Sequence, residues 1–190
     1  MGNDNVNHPS HYTSGPFECI KLTARYPFLG GNAIKYAYRW QGKNGLEDLR
    51  KALWYLTRAK KDNPRQLKGL CPLDSFIPSY EAFQIDEESV HMLRKLARLN
   101  WQNMRGFWKG MAEIACRHKS GYTRAKKTLE RRIRLLESPL TDEEQIVLSD
   151  IWQDKDVPES RKHIAYRLQA RGFVKFDKTV NGWNPTGKER

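Results

Sequence analysis

With 190 residues the chain has room for one domain or two small ones, and at 38% hydrophobic its core is lean, with six Trp, eight Tyr and seven Phe carrying much of it. The formal net charge of +12 points to polyanionic partners: nucleotides, DNA or RNA, or an acidic protein surface. No long apolar run occurs and Met1-Gly2-Asn3-Asp4-Asn5 is polar, which excludes a membrane-spanning helix and a signal peptide and predicts a cytoplasmic protein.

Residues 1–16 read as extended, because His8-Pro9 disfavours helix before the proline and Gly15-Pro16 is a breaker pair. A first short helix is predicted over 17–26, stopped by Pro27. Residues 28–31 read as a turn, with Asn32 capping a second helix over 33–40. A third helix is predicted over 46–61, with Glu47 and Asp48 in its first turn and Leu49, Leu53 and Leu56 along one stripe. Residues 63–85 hold three prolines and read as a linker.

One long helix is predicted over 86–118, with Gly106 and Gly110 marking a kink or a close approach. Gly121 reads as its break, before a strongly basic helix over 123–137. Thr141-Asp142-Glu143-Glu144 fits a capping box that opens a helix over 141–152. A further helix over 158–170 precedes a hairpin of 173–176 and 182–185. The expected fold is mainly α: an N-terminal helical domain over 1–62, a linker over 63–85, basic helices over 86–137 and a C-terminal module with a β-hairpin over 138–190.

Charge alternates in blocks, net +7 over 1–70, −5 over 71–90, +10 over 91–137, −6 over 138–159 and +6 over 160–190. Such blocks predict separate faces. Cys19, Cys71 and Cys116 form no Cys-x-x-Cys pair, so scattered free thiols are expected and no metal site is assigned.

Candidate chemistry concentrates in the first sixty residues. Lys35 and Arg39 lie one helical turn apart, and Asn32 with the amides after it would form an anion site at a helix start. Lys43 follows in a glycine-flanked loop, and Asp48 and Lys51 share a face of the next helix. His8, Ser10 and His11 add donors nearby. Each alone reads as a solvated or capping residue; together they make a phosphate cradle without a glycine-rich loop.

The series His8-Pro9-Ser10-His11-Tyr12, then Gly31-Asn32-Ala33-Ile34-Lys35-Tyr36 with Arg39, then Glu47-Asp48-Leu49-Arg50-Lys51-Ala52-Leu53-Trp54-Tyr55-Leu56 resembles the nucleotide-kinase-like family of tailed phages. The resemblance covers about residues 6–60. It implies a deoxynucleoside monophosphate kinase without a Walker loop, using ATP and Mg2+ and sited in the host cytoplasm. It would place His8, Ser10, His11 and Tyr12 along one wall, with Asn32, Lys35 and Arg39 on phosphates and Lys43 closing over them. Lys51 would add to the phosphate-binding set. Asp48 would hold Mg2+ or orient the acceptor, and a neighbouring subunit could complete the site in a homo-oligomer. Carboxylates are scarce in this stretch, which favours binding over turnover.

Two alternatives stand beside a kinase: a nucleotide sponge without turnover, and a nucleic-acid-binding or host-targeting regulator that engages a host protein complex. The second rests on Arg124, Lys126, Lys127 and Arg131 of the basic helix, interleaved with aromatics. It also rests on residues 141–190, whose helix–Gly–strand–wing order resembles a winged-helix module. There Arg161, Lys162 and Arg167 would face a groove and Lys175 would sit on the wing. The same module would equally serve as a protein-interaction or dimerisation unit.

Overall fold

The computed structural model describes residues 10–69, 85–177 and 179–186, with Ser10 and His11 as backbone alone. His8, Pro9, Cys71 and most of the predicted linker lie outside the described residues. The architecture is mainly α with one small antiparallel hairpin, and the chain divides into two compact units, Met1–Ile133 and Arg134–Arg190. No described helix is long and apolar enough to cross a membrane.

The first unit contains α1 (Ser10–Thr13), α2 (Cys19–Thr23), α3 (Phe28–Arg39), α4 (Leu46–Asp62), α5 (Glu87–Arg98), α6 (Arg105–Ala115) and α7 (Ser120–Glu137), whose last residues fall past the division. Two 3-10 turns, Trp40–Gly42 and Pro64–Leu67, follow α3 and α4. The pairs α3–α4 and α5–α6 pack along one another. Leu22, Ile34, Leu49, Leu56, Leu93 and Trp108 are fully buried between them.

Several boundaries differ from expectation. Residues 10–13 form a helical turn rather than extended chain. Residues 28–31 are not a turn. Pro27 ends α2's approach and at once opens α3, its carbonyl accepting from the Gly31 amide at 2.8 Å. Gly30 sits where α3 meets the chain after α4: a Cβ there would lie 2.0 Å from the Gln66 carbonyl oxygen. The glycine therefore serves close packing. Gly30→Ala is expected to destabilise the protein by about 1–3 kcal/mol, read as a lowered urea midpoint, because the obstructing atom is backbone.

The predicted 86–118 helix is two helices. Between them Asn100, Gln102 and Asn103 adopt positive φ of 48°, 55° and 55°. Asparagine tolerates that region through local hydrogen bonds. The break frees carbonyls that buried polar groups require. Trp101 O accepts from Trp108 Nε1 at 2.8 Å, Gln102 O from Trp40 Nε1 at 3.0 Å, and Asn103 O from Arg132 Nη2 at 2.7 Å. An uninterrupted helix would leave these indoles without acceptors.

Gly121 does not break a helix either; it lies within α7, opposite Gly110 of α6. A Cβ on Gly110 would sit 2.6 Å from both Ala125 N and Gly121 O. Of the two readings of Gly110, close approach is the one realised.

The second unit holds α8 (Asp142–Trp152), α9 (Lys162–Arg171), β1 (Val174–Asp177) and β2 (Gly182–Pro185). The predicted capping box is present, Thr141 accepting from the Glu144 amide and Glu144 from the Thr141 amide. Gly172, at φ 83°, ends α9 and turns the chain into β1. The strands pair antiparallel from Val174↔Pro185 to Asp177↔Gly182. Between α8 and α9 stands a single 3-10 turn, Glu159–Arg161, that runs directly into α9. Val147, Ile151, Ile164, Ala165, Leu168 and Val174 form the core.

Candidate functional site

Helical spacing brings Lys35, Tyr36 and Arg39 to one side of α3, and Asp48, Lys51 and Tyr55 to the facing side of α4. Three cations gather on the Tyr36 ring: Arg39 Cζ lies 4.9 Å from its centroid, and Lys35 Nζ and Lys51 Nζ each lie 5.6 Å away. Tyr36 and Tyr55 stack at 5.6 Å with 16° between planes. Phe28 and Trp54 meet Tyr55 edge-on at 5.9 and 4.9 Å, and both are largely exposed. The result is a surface on which aromatic faces alternate with positive charge.

Beneath it lies a buried ion pair. Arg39 Nε donates to Asp48 Oδ2 at 3.0 Å and Arg39 Nη2 to Asp48 Oδ1 at 3.1 Å. Asp48 is 0% exposed and Arg39 7%. Arg39 Nη1 donates to the Tyr12 hydroxyl, and its guanidinium lies 5.4 Å from the Tyr12 ring centroid. Burial opposes the Arg39 charge, but the bonds to Asp48 outweigh it and raise the Arg39 pKa. Burial also raises the Tyr12 pKa, with Arg39 pulling the other way. Cys19 is buried close by, and its thiol is pushed up to about 12 by desolvation despite Lys35 and Arg39. A thiol so placed is a packing group, not a nucleophile.

Of the predicted residues, Tyr12, Lys35, Arg39, Asp48 and Lys51 thus come together. Lys43 is exposed in the loop between α3 and α4. His8 and the side chains of Ser10 and His11 lie outside the described residues.

Three roles need correcting. Asn32 is the fifth residue of α3, not its cap; its side chain donates back to Phe28 O at 2.8 Å. The helix start is covered instead, the Leu29 amide donating to Gln66 Oε1 at 3.0 Å. Asp48 does not present a carboxylate to a metal, because both oxygens are engaged by Arg39 in a dry interior. The residues around Asp48 therefore do not fit the Mg2+ that a kinase would use. Arg39, internally neutralised, positions the ring of Tyr36, and Lys51 is paired with Glu47 at 2.5 Å, which leaves Lys35 as the cation of this set with no ion pair among the described residues.

The patch's aromatic half was missed as function. Its signal was Lys51 and Tyr55, and Trp54 and Arg58, each pair four residues apart on α4, beside Lys35-Tyr36 on α3.

The cations predicted to bind nucleic acid are largely compensated. In the first unit Arg124 pairs with Glu113 at 2.9 Å and Lys126 with Glu130 at 2.5 Å, while Lys127 and Arg131 are exposed. In the second unit Arg161 lies 3.7 Å from Asp150, Lys162 2.5 Å from Glu159, and Arg167 4.0 Å from Glu143 and Glu144. Lys175 is exposed on β1.

No curated protein and no solved structure matches the chain. Residues 6–57, the stretch that builds α1 to most of α4, match the model of a family described as a protein of unknown function, DUF3310.

Proposed function

We propose that the protein binds nucleotides on the α3–α4 surface, as a phage-encoded nucleotide-binding protein that sequesters its ligand rather than turning it over. The observation that carries this reading is the convergence of Lys35, Arg39 and Lys51 on the Tyr36 ring. Stacked tyrosines offer a π-face to a base, and a lysine ammonium beside them offers a point charge to a phosphate. Asp48 supports binding over transfer, since its carboxylate is spent on Arg39.

Titration calorimetry with deoxynucleoside mono- and triphosphates tests the reading. Tyr36→Ala is expected to weaken binding by about 1–3 kcal/mol, the usual worth of one base–aromatic stack. Lys35→Ala is expected to weaken it about tenfold, or roughly 1.4 kcal/mol. Affinity unchanged in both variants would refute the site. Incubating dTMP or dGMP with ATP and Mg2+ separates sequestration from catalysis: chromatography is expected to show no new product, and a diphosphate would restore the kinase.

A further inference from the structure

We infer that the cleft between α5 and α6 is a second, independent anion site, built to grip the phosphodiester backbone of a nucleic acid. Arg94 and Arg98, one turn apart on α5, face Lys109 of α6 across a groove floored by Ala97 and Ala112. The two alanines keep the floor low enough to form a groove. All three cations are exposed, and no ion pair among the described residues engages them. That sets them apart from Arg124 and Lys126, which carboxylates already hold.

The one acid lining the cleft, Glu113, is taken by Arg124 at 2.9 Å and by the Ser120 hydroxyl at 3.4 Å. Its charge is thereby already neutralised by Arg124. Arg94 Nη2 reaches over the groove to Cys116 Sγ at 3.9 Å, a weak acceptor that a phosphate oxygen would readily replace. His91 and His118 line the same cleft and add donors.

The chemistry of the groove selects the ligand class. No Phe, Tyr or Trp lines it among the described residues, so it lacks the broad stacking platform of a base-binding site. Two guanidinium forks and an ammonium in one groove suit successive phosphates of a backbone. Sequence-independent binding follows, since such contacts position without reading bases. The inference does not rest on the nucleotide site of α3 and α4.

The test uses the full chain and a fluorescent 20-base-pair duplex, with anisotropy followed from about 50 to 200 mM salt. Three phosphates neutralised would give a log–log slope of about −2.7, or about a 40-fold loss across that range. The double variant Arg94→Ala/Arg98→Ala is expected to reduce the slope by about 2 and to bind weakly at low salt. Its nucleotide titration should match wild type, while Lys35→Ala should leave duplex binding intact. Lys127→Ala/Arg131→Ala, on exposed cations outside the cleft, is the control. An equal loss in the control, or an unchanged slope in the cleft variant, would overturn the inference. Inorganic tripolyphosphate separates the sources of phosphate: it should compete poorly, and its binding to the cleft without duplex binding would overturn the backbone assignment.

Discussion

Asp48→Ala is expected to destabilise the first unit by about 3–5 kcal/mol, seen as a large drop in the urea midpoint. The cost does not come from losing an attraction. It comes from leaving the Arg39 guanidinium, 7% exposed, without its carboxylate between α3 and α4. At that burial water solvates the charge poorly, and no other described acid bonds to it. Tyr12, whose hydroxyl accepts from the same guanidinium, would lose its setting as well. Arg39→Met combined with Asp48→Leu removes both charges and both desolvation costs, so the double variant should recover most of the stability. A catalytic carboxylate would behave otherwise. If Asp48→Ala kept the wild-type midpoint while ligand binding or turnover vanished, the pair would be facing a ligand, and the assignment of Asp48 as the buried partner of Arg39 would fall.

That pair also marks where the sequence could be read and where it could not. Asp48 in the first turn of a helix has a sufficient local explanation in the helix dipole, and nothing nearby in the chain indicates that its partner lies nine residues earlier. The capping box at Thr141 was legible because donor and acceptor are three residues apart. Gly172 was legible for the same reason: a helix end that turns left-handed requires little beyond its own neighbours.

Gly30 misled because its purpose is remote: a glycine pair before Asn32 looks like a turn until Gln66 is seen packed on Gly30. The 99–104 connection misled in the opposite way. Leu99, Trp101 and Met104 continue the apolar spacing of α5, so periodicity alone extends the helix. The interruption is demanded by two indole N–H groups and one guanidinium that take the carbonyls of Trp101, Gln102 and Asn103 as acceptors. For the candidate site, the cationic half was legible from i, i+4 spacing on one helix. The stacking of Tyr36 on Tyr55 was not, because it depends on how α3 and α4 lie against each other.

In the second unit, Arg171→Ala is expected to unfold the whole α8–α9–hairpin module. Arg171 ties three segments at once. Its Nη1 donates to Glu144 Oε2 at 2.7 Å near the start of α8, its Nη2 donates to the Ser138 carbonyl, and it stands itself at the end of α9. Its guanidinium also lies 5.2 Å from the Phe173 ring centroid. Both charged side chains are about 95% buried, at 5% and 6% exposed, so removing the arginine leaves Glu144 in the interior with only the Thr141 amide and a distant Arg167 at 4.0 Å, at a cost of about 3–5 kcal/mol. The same carboxylate closes the capping box on the Thr141 amide at 3.1 Å, so its protonation or displacement would loosen that helix start too. A core this small has little reserve against such a loss. Hydrogen exchange should show collapse of amide protection across residues 142–185 in Arg171→Ala. Arg171→Lys should fall between it and wild type, because an ammonium keeps the charge but cannot span Glu144 and Ser138 with a planar fork. Full protection in Arg171→Ala would mean that the apolar contacts of Ile151, Ile164 and Leu168 hold the module unaided, and the ion pair would then be a consequence of the fold, not one of its supports.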